Sequence, residues 1–233
     1  MACNFQNVDG NALPINTAFP YAEGMTCGNS AAKGDNLQIM NDAGGYEIYY
    51  MSNGKNSKGT SDIDGLLHKW AKASTFEPTS DTISAGKAFW YISQGHIADA
   101  TKEPFNITVA GQVMSQTAPT RELAASYMII GSPYPTDVAL NGGIVVTNGT
   151  EGNNAAKGDN IQIMNDAGGY DIYYLSNGKN SKGTSDIDGL KGKWAKASTF
   201  EPTTDKFPAG GAAWYVRQGS ESVSIQFINP IAE

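Results

Sequence analysis

Histidine, cysteine and positive charge are scarce in this chain of 233 residues, and each scarcity closes off a class of chemistry. There are two histidines, His68 and His96, and two cysteines, Cys3 and Cys27. A zinc site needs more thiols or imidazoles than these supply. The cysteines leave two options, a pair of free thiols or one Cys3–Cys27 disulfide. Lysine and arginine number 16 against 23 acidic residues, giving a net charge of −7 with the acids scattered along the chain. Such a surface repels phosphate backbones, so no nucleic-acid partner is expected. The glycine-rich phosphate loops GxGxxG and GxxxxGK(S/T) do not occur. Crossing a bilayer as a helix takes about 18 consecutive apolar residues. No stretch approaches that, and no membrane span is expected. No leader peptide is visible at Met1, so an exported form is expected to have lost its signal already.

What the chain does have is glycine, tyrosine and a long repeat. Its 27 glycines and 11 tyrosines point to many turns between aromatic-rich strands, and its 40% hydrophobic content suits a folded chain. Residues 31–81 and 155–205 match at a shift of 124, and six of the 51 aligned positions differ: 37, 47, 51, 67, 68 and 80. The match continues more weakly. ISAGKAFWYISQG at 83–95 aligns with FPAGGAAWYVRQG at 207–219, and Pro14-Ile15-Asn16 aligns with Ala139-Leu140-Asn141 after a one-residue gap. A period this long is a domain duplication, not a solenoid repeat. The expectation is a first β module at 1–116 and a second at 117–233, packed side by side, with a polar seam around 114–123.

Within each unit the apolar residues alternate. Val223, Ile225 and Phe227 share one face of a strand, as do Tyr46, Ile48 and Tyr50, and likewise Tyr170, Ile172 and Tyr174. Turn signals such as Asn53-Gly54 and Asp42-Ala43-Gly44-Gly45 separate the runs. The expected class is all-β, as two sandwich-like or barrel-like modules. Residues 121–126 are expected to form one helical turn at the seam. The repeat also suggests which face of one strand is buried. Trp90 and Ile92 become Trp214 and Val216, which keeps their bulk, whereas Phe89 becomes Ala213. Losing a buried phenylalanine to alanine costs about 3–5 kcal/mol. Trp90 and Trp214 are therefore expected to face the core.

Candidate chemistry is thin. His68 and His96 become Gly192 and Ser220, so no nucleophile and base recur in both units, and both histidines read as plain surface residues. An enzyme is not expected. Asp62, Asp64, Asp186 and Asp188 lie in the polar loops NGKNSKGTSDIDG, where calcium is a possible cofactor beside an ordinary solvated turn. The EF-hand spacing is missing. Trp70 and Trp194 sit in polar surroundings and are the candidates for exposed platforms that stack on sugar rings. Two such weak sites would gain by linkage.

Several short motifs occur together. Gly131-Ser132-Pro133-Tyr134-Pro135 through Asn141 is close to a GNPYP segment, and Gly158-Asp159-Asn160-Ile161-Gln162-Ile163 to an ADxIQ segment. Residues 209–215 are close to PAGxxFW, and ITVAGQV at 107–113 to a closing GQV strand. In this order they resemble a group of exported bacterial tandem-repeat β proteins without an established activity. The first unit departs from the pattern where Asn7-Val8-Asp9-Gly10 replaces the GxPYP run. The second departs at its end, where Phe227-Ile228-Asn229-Pro230 replaces the GQV close. The resemblance implies export and a repeated domain, and no mechanism. The expected function is a non-catalytic structural protein of the extracellular space or cell surface, self-associating into a layer, filament or matrix. The alternative is a carbohydrate-binding adhesin with glycan as partner.

Overall fold

The computed structural model describes Phe5, Gln6, residues 11–114, Ala118 and residues 120–231. Cys3 lies outside the described residues. The chain is all-β, as the two-residue alternation indicates, and its strands pair antiparallel. The first half contributes β1 (Asn36–Met40), β2 (Tyr46–Lys55), β3 (Asp62–Lys72) and β4 (Phe89–Ile92). The connection carries β5 (Arg121–Leu123), and β6 (Tyr127–Gly131), β7 (Val138–Ala139) and β8 (Ile144–Thr147) follow. The second half continues with β9 (Asn160–Met164), β10 (Tyr170–Leu175), β11 (Trp194–Lys196), β12 (Lys206–Phe207), β13 (Ala212–Val216) and β14 (Val223–Phe227).

The strands pair into a four-stranded sheet, β3-β2-β1-β4, and a five-stranded sheet, β11-β10-β9-β13-β6. A three-stranded sheet, β5-β14-β8, shares one hydrophobic core with the five-stranded sheet. Register is the same at equivalent places: Gln38 lies opposite Trp90, and Gln162 opposite Trp214. Side-chain clamps repeat as well. Asn16 accepts from the Trp70 N–H at 2.7 Å and donates to the Thr79 carbonyl at 2.8 Å. Asn141 accepts from the Trp194 N–H at 2.8 Å and donates to the Thr203 carbonyl at 2.8 Å. These asparagines satisfy strand-end groups that would otherwise be buried without a partner.

Two features correct the sequence reading. Residues 121–123 form β5, not a helical turn, because pairing with β14 puts Leu123 into the core. The core face of β4 is also the opposite of the expected one. Phe89 is buried against Phe5 and Phe19, while Trp90 is only half-buried. The loss of Phe89 at Ala213 is offset elsewhere, since Ile83, buried in the first half, is replaced by the fully buried Phe207 in the second. Aromatic volume moves from one strand to another, so the cost assumed from an isolated Phe-to-Ala change does not arise.

The halves meet through the equivalent strands β4 and β13 and through elements that are not equivalent. Lys87 bridges to Ile130, and the Gly131 N–H donates to the Gly86 carbonyl at 3.0 Å, which joins the start of β4 to the edge strand β6. Arg121 Nη1 donates to the carbonyls of Gly86 and Ile129 at 2.9 and 2.8 Å. Burial pulls its pKa down, and nearby Asp42 partly restores it. Met40 and Ala88 of the first half join the core of the second.

Candidate functional site

Trp70 and Trp194 are not exposed platforms. Their exposures are 0% and 2%. The Trp70 indole N–H donates to the Phe19 carbonyl at 2.6 Å, and its ring packs on Phe19 and Tyr91. Trp194 meets Tyr215 edge-on. The polar neighbours misled because successive strand residues point to opposite faces: Lys69 is exposed precisely where Trp70 turns inward. 

The exposed aromatic surface lies elsewhere, where the two halves meet. Trp90 and Trp214, on β4 and β13, stand 6.3 Å apart with their rings tilted by 46°. Together with Ile129, Gln162, Met164 and Tyr170 they line a cleft of about 180 Å³. A second hollow shares Gln162, Tyr170 and Trp214, and is bounded by Tyr127 and Val216 on the five-stranded sheet and by Met40 and Gly44 of the first half. Tyr127, Met164 and Tyr170 are exposed around it. The polar element is Gln162, whose amide is fixed by donating to Asn160 Oδ1 at 2.9 Å. A lining of this kind suits apolar side chains better than a hydroxyl-rich ligand, which needs several free hydrogen-bonding groups. Alternation along β9 and β13 places these residues together on one face; what hid them was the expectation that the Trp face was the core.

The aspartate loops hold lysines. Lys55 pairs with Asp62 at 2.9 Å and Lys179 with Asp186 at 3.0 Å. Asp186 and Asp188 share a shallow depression with Lys191. Among the described residues no group of three or more His, Cys, Asp or Glu side chains gathers at Asp62 and Asp64, at Asp186 and Asp188, or elsewhere. Cys27 is a half-buried thiol without a disulfide partner among the described residues, and burial and Asp35 raise its pKa; the Cys3–Cys27 pairing falls outside them. 

The remaining charged groups build structure twice over. Asp35 is fully buried and accepts from the Tyr91 hydroxyl at 2.6 Å and from the N–H groups of Gln94 and Thr26 at 2.7 and 3.0 Å. Asp159 does the same with Tyr215, Gln218 and Thr150. Burial, then the carboxylate beside it, raises the pKa of each tyrosine. Near the surface, the Tyr49 hydroxyl lies 2.7 Å from both Glu47 and Asp81, with Lys72 within 3.3 Å of each. In the second half Asp171 replaces Glu47 and, one methylene shorter, stands 3.8 Å from Lys196, leaving Tyr173 to bond Asp205.

His68 stacks on Tyr21 with centroids 3.9 Å apart, and its backbone takes the left-handed conformation (φ 57°) that Gly192 has at the equivalent place (φ 69°). His96 Nδ1 lies 2.8 Å from Ser93 Oγ. No helix among the described residues is long and apolar enough to cross a membrane. Comparison of the chain with protein-family models, curated proteins and solved structures found no match.

Proposed function

We propose that the chain is a non-catalytic structural protein of the extracellular space or cell surface, built by internal duplication of one β module and assembling by self-association. One observation carries this reading. The halves are nearly identical in sequence over 51 residues, and they pack on each other around an apolar cleft walled by the equivalent Trp90 and Trp214, with Tyr127, Met164 and Tyr170 exposed beside it. Two copies of one module thus already pack against each other within the chain, the kind of contact that self-association repeats between chains. The apolar cleft and the exposed Tyr127, Met164 and Tyr170 supply surface for such contacts. Light scattering on purified protein across a concentration series tests the reading. Mass should grow with concentration beyond 24.7 kDa, and a strictly monomeric species throughout contradicts it.

Glycan binding is the second reading, and Trp90, Trp214 and Tyr170 favour it as the aromatic walls of a small cleft. Glycan-array binding that disappears in Trp214→Ala supports it. An array without any bound sugar counts against it.

A further inference from the structure

The seven residues Met40-Asn41-Asp42-Ala43-Gly44-Gly45-Tyr46 recur unchanged as Met164-Asn165-Asp166-Ala167-Gly168-Gly169-Tyr170. Both copies fold into the same turn. The Asn41 N–H donates to the Gly45 carbonyl at 2.9 Å, and the Asn165 N–H to the Gly169 carbonyl at 2.9 Å. Their aspartates are treated differently. Asp42 pairs with the Lys87 ammonium at 3.3 Å. Lys87 stands two residues before Phe89 of β4, and the equivalent place before Ala213 of β13 holds Gly211. The second turn therefore lacks that ammonium. Asp166 is exposed, and its carboxylate has no ion-pair or hydrogen-bond partner among the described residues.

Both ends of the second turn, Met164 and Tyr170, line the cleft walled by Trp90 and Trp214. The two indoles touch, with centroids 6.3 Å apart, so a ligand packs against them and not between them. Aromatic faces attract cations, tryptophan most strongly. No lysine, arginine or histidine among the described residues lines the cleft to oppose this. The unpaired carboxylate on the turn and the net charge of −7 add to the attraction.

We propose that this cleft binds a small quaternary ammonium cation of the choline type, with Trp90, Trp214 and Tyr170 as its aromatic walls and Asp166 as its counter-charge. The scarcity of hydrogen-bonding groups selects among cations. A primary ammonium brings three N–H donors. Gln162 already donates its amide to Asn160 Oδ1 at 2.9 Å and offers them one carbonyl oxygen. Leaving the other donors unpaired in apolar surroundings is costly. Calcium and magnesium need a shell of oxygens. A quaternary ammonium has no N–H to satisfy, and its methyl groups pack on the apolar lining. The cleft, at about 180 Å³, is larger than the roughly 150 Å³ of a cavity that takes benzene, a molecule of similar bulk. The site does not depend on self-association.

Isothermal titration calorimetry of the full chain with choline chloride tests this, against sodium chloride at the same ionic strength. A second titrant is the neutral isostere of choline, in which carbon replaces nitrogen. Choline should bind saturably at one site per chain, and the isostere at least about 10-fold more weakly. Asp166 is exposed, so Asp166→Asn should keep the thermal midpoint of the parent while weakening choline binding about 3-fold. Trp214→Leu should weaken it at least about 10-fold. No saturable heat with choline overturns the proposal. An isostere that binds as tightly as choline overturns it too, since the cleft is then merely apolar, and so does an Asp166→Asn variant with unchanged affinity. Flotation with phosphatidylcholine vesicles by a chain that ignores free choline would place recognition on a membrane surface and equally overturn it.

Discussion

Met40 and Met164 are the same residue in the same turn of two stretches that differ at six of 51 positions, and Met40 is buried against the other half while Met164 stands half exposed at the cleft beside Trp90. Local sequence cannot produce this difference, because the seven residues of each turn are identical. The partner surface produces it.

Salt dependence follows from the charge. The chain carries −7, so copies repel at low ionic strength, while the exposed apolar surface at Tyr127, Met164 and Tyr170 is insensitive to screening. Raising salt from about 0.02 to about 0.3 M, which shortens the Debye length severalfold, should strengthen association. Sedimentation equilibrium at the two strengths measures this, and weaker association at high salt would point to ion pairs in place of the apolar contact.

The asparagine clamps should matter more than their polarity suggests. Asn16→Ala frees the Trp70 N–H and the Thr79 carbonyl at once. Leaving buried polar groups without partners costs about 1–3 kcal/mol each. Urea denaturation of Asn16→Ala and Asn141→Ala should show losses of similar size, on the order of 2 kcal/mol. A neutral result in both would remove the clamps from the account.

Arg121 holds the seam by donating to one carbonyl from each half, Gly86 and Ile129. Arg121→Ala should loosen the halves by about 1–3 kcal/mol without unfolding either sheet. Calorimetry should then show the melting transition broaden or divide, and a sharp transition at an unchanged temperature argues against this role.

Acid sensitivity has a defined sign. Asp81 is held below its ordinary value of 3.8, first by the Tyr49 hydroxyl and then by Lys72, and Asp205 likewise by Tyr173 and Lys196. A carboxylate whose folded pKa is depressed contributes stability above its unfolded pKa and loses it as pH falls through the folded one. Stability from these groups should be present at neutral pH and fade below about pH 4. Both carboxylates are substantially exposed, so the pair contributes on the order of 1 kcal/mol. Asp81→Asn with Asp205→Asn should flatten this part of the acid-unfolding curve, as followed by tryptophan fluorescence.

Strand content was legible because alternation survives in a single sequence. Val223, Ile225 and Phe227 read as one buried face, and all three are buried. Faces were harder to assign where the repeat itself seemed to vote. Keeping Trp90 as Trp214 looked like a core constraint, but those rings meet each other between the halves, and the true core compensates a Phe89-to-Ala213 loss with an Ile83-to-Phe207 gain. Such compensation links strands far apart in sequence, so no local window reveals it. Trp70 was misplaced for the opposite reason, since its polar neighbours describe the other face of the strand. The turns that hold the buried Met40 and the half-exposed Met164 carry no difference in sequence at all.

Electron microscopy of the purified chain at high concentration tests the central claim most directly. Assemblies of many copies, as a layer, filament or matrix, are the result the account predicts. Isolated single chains at every concentration would contradict it.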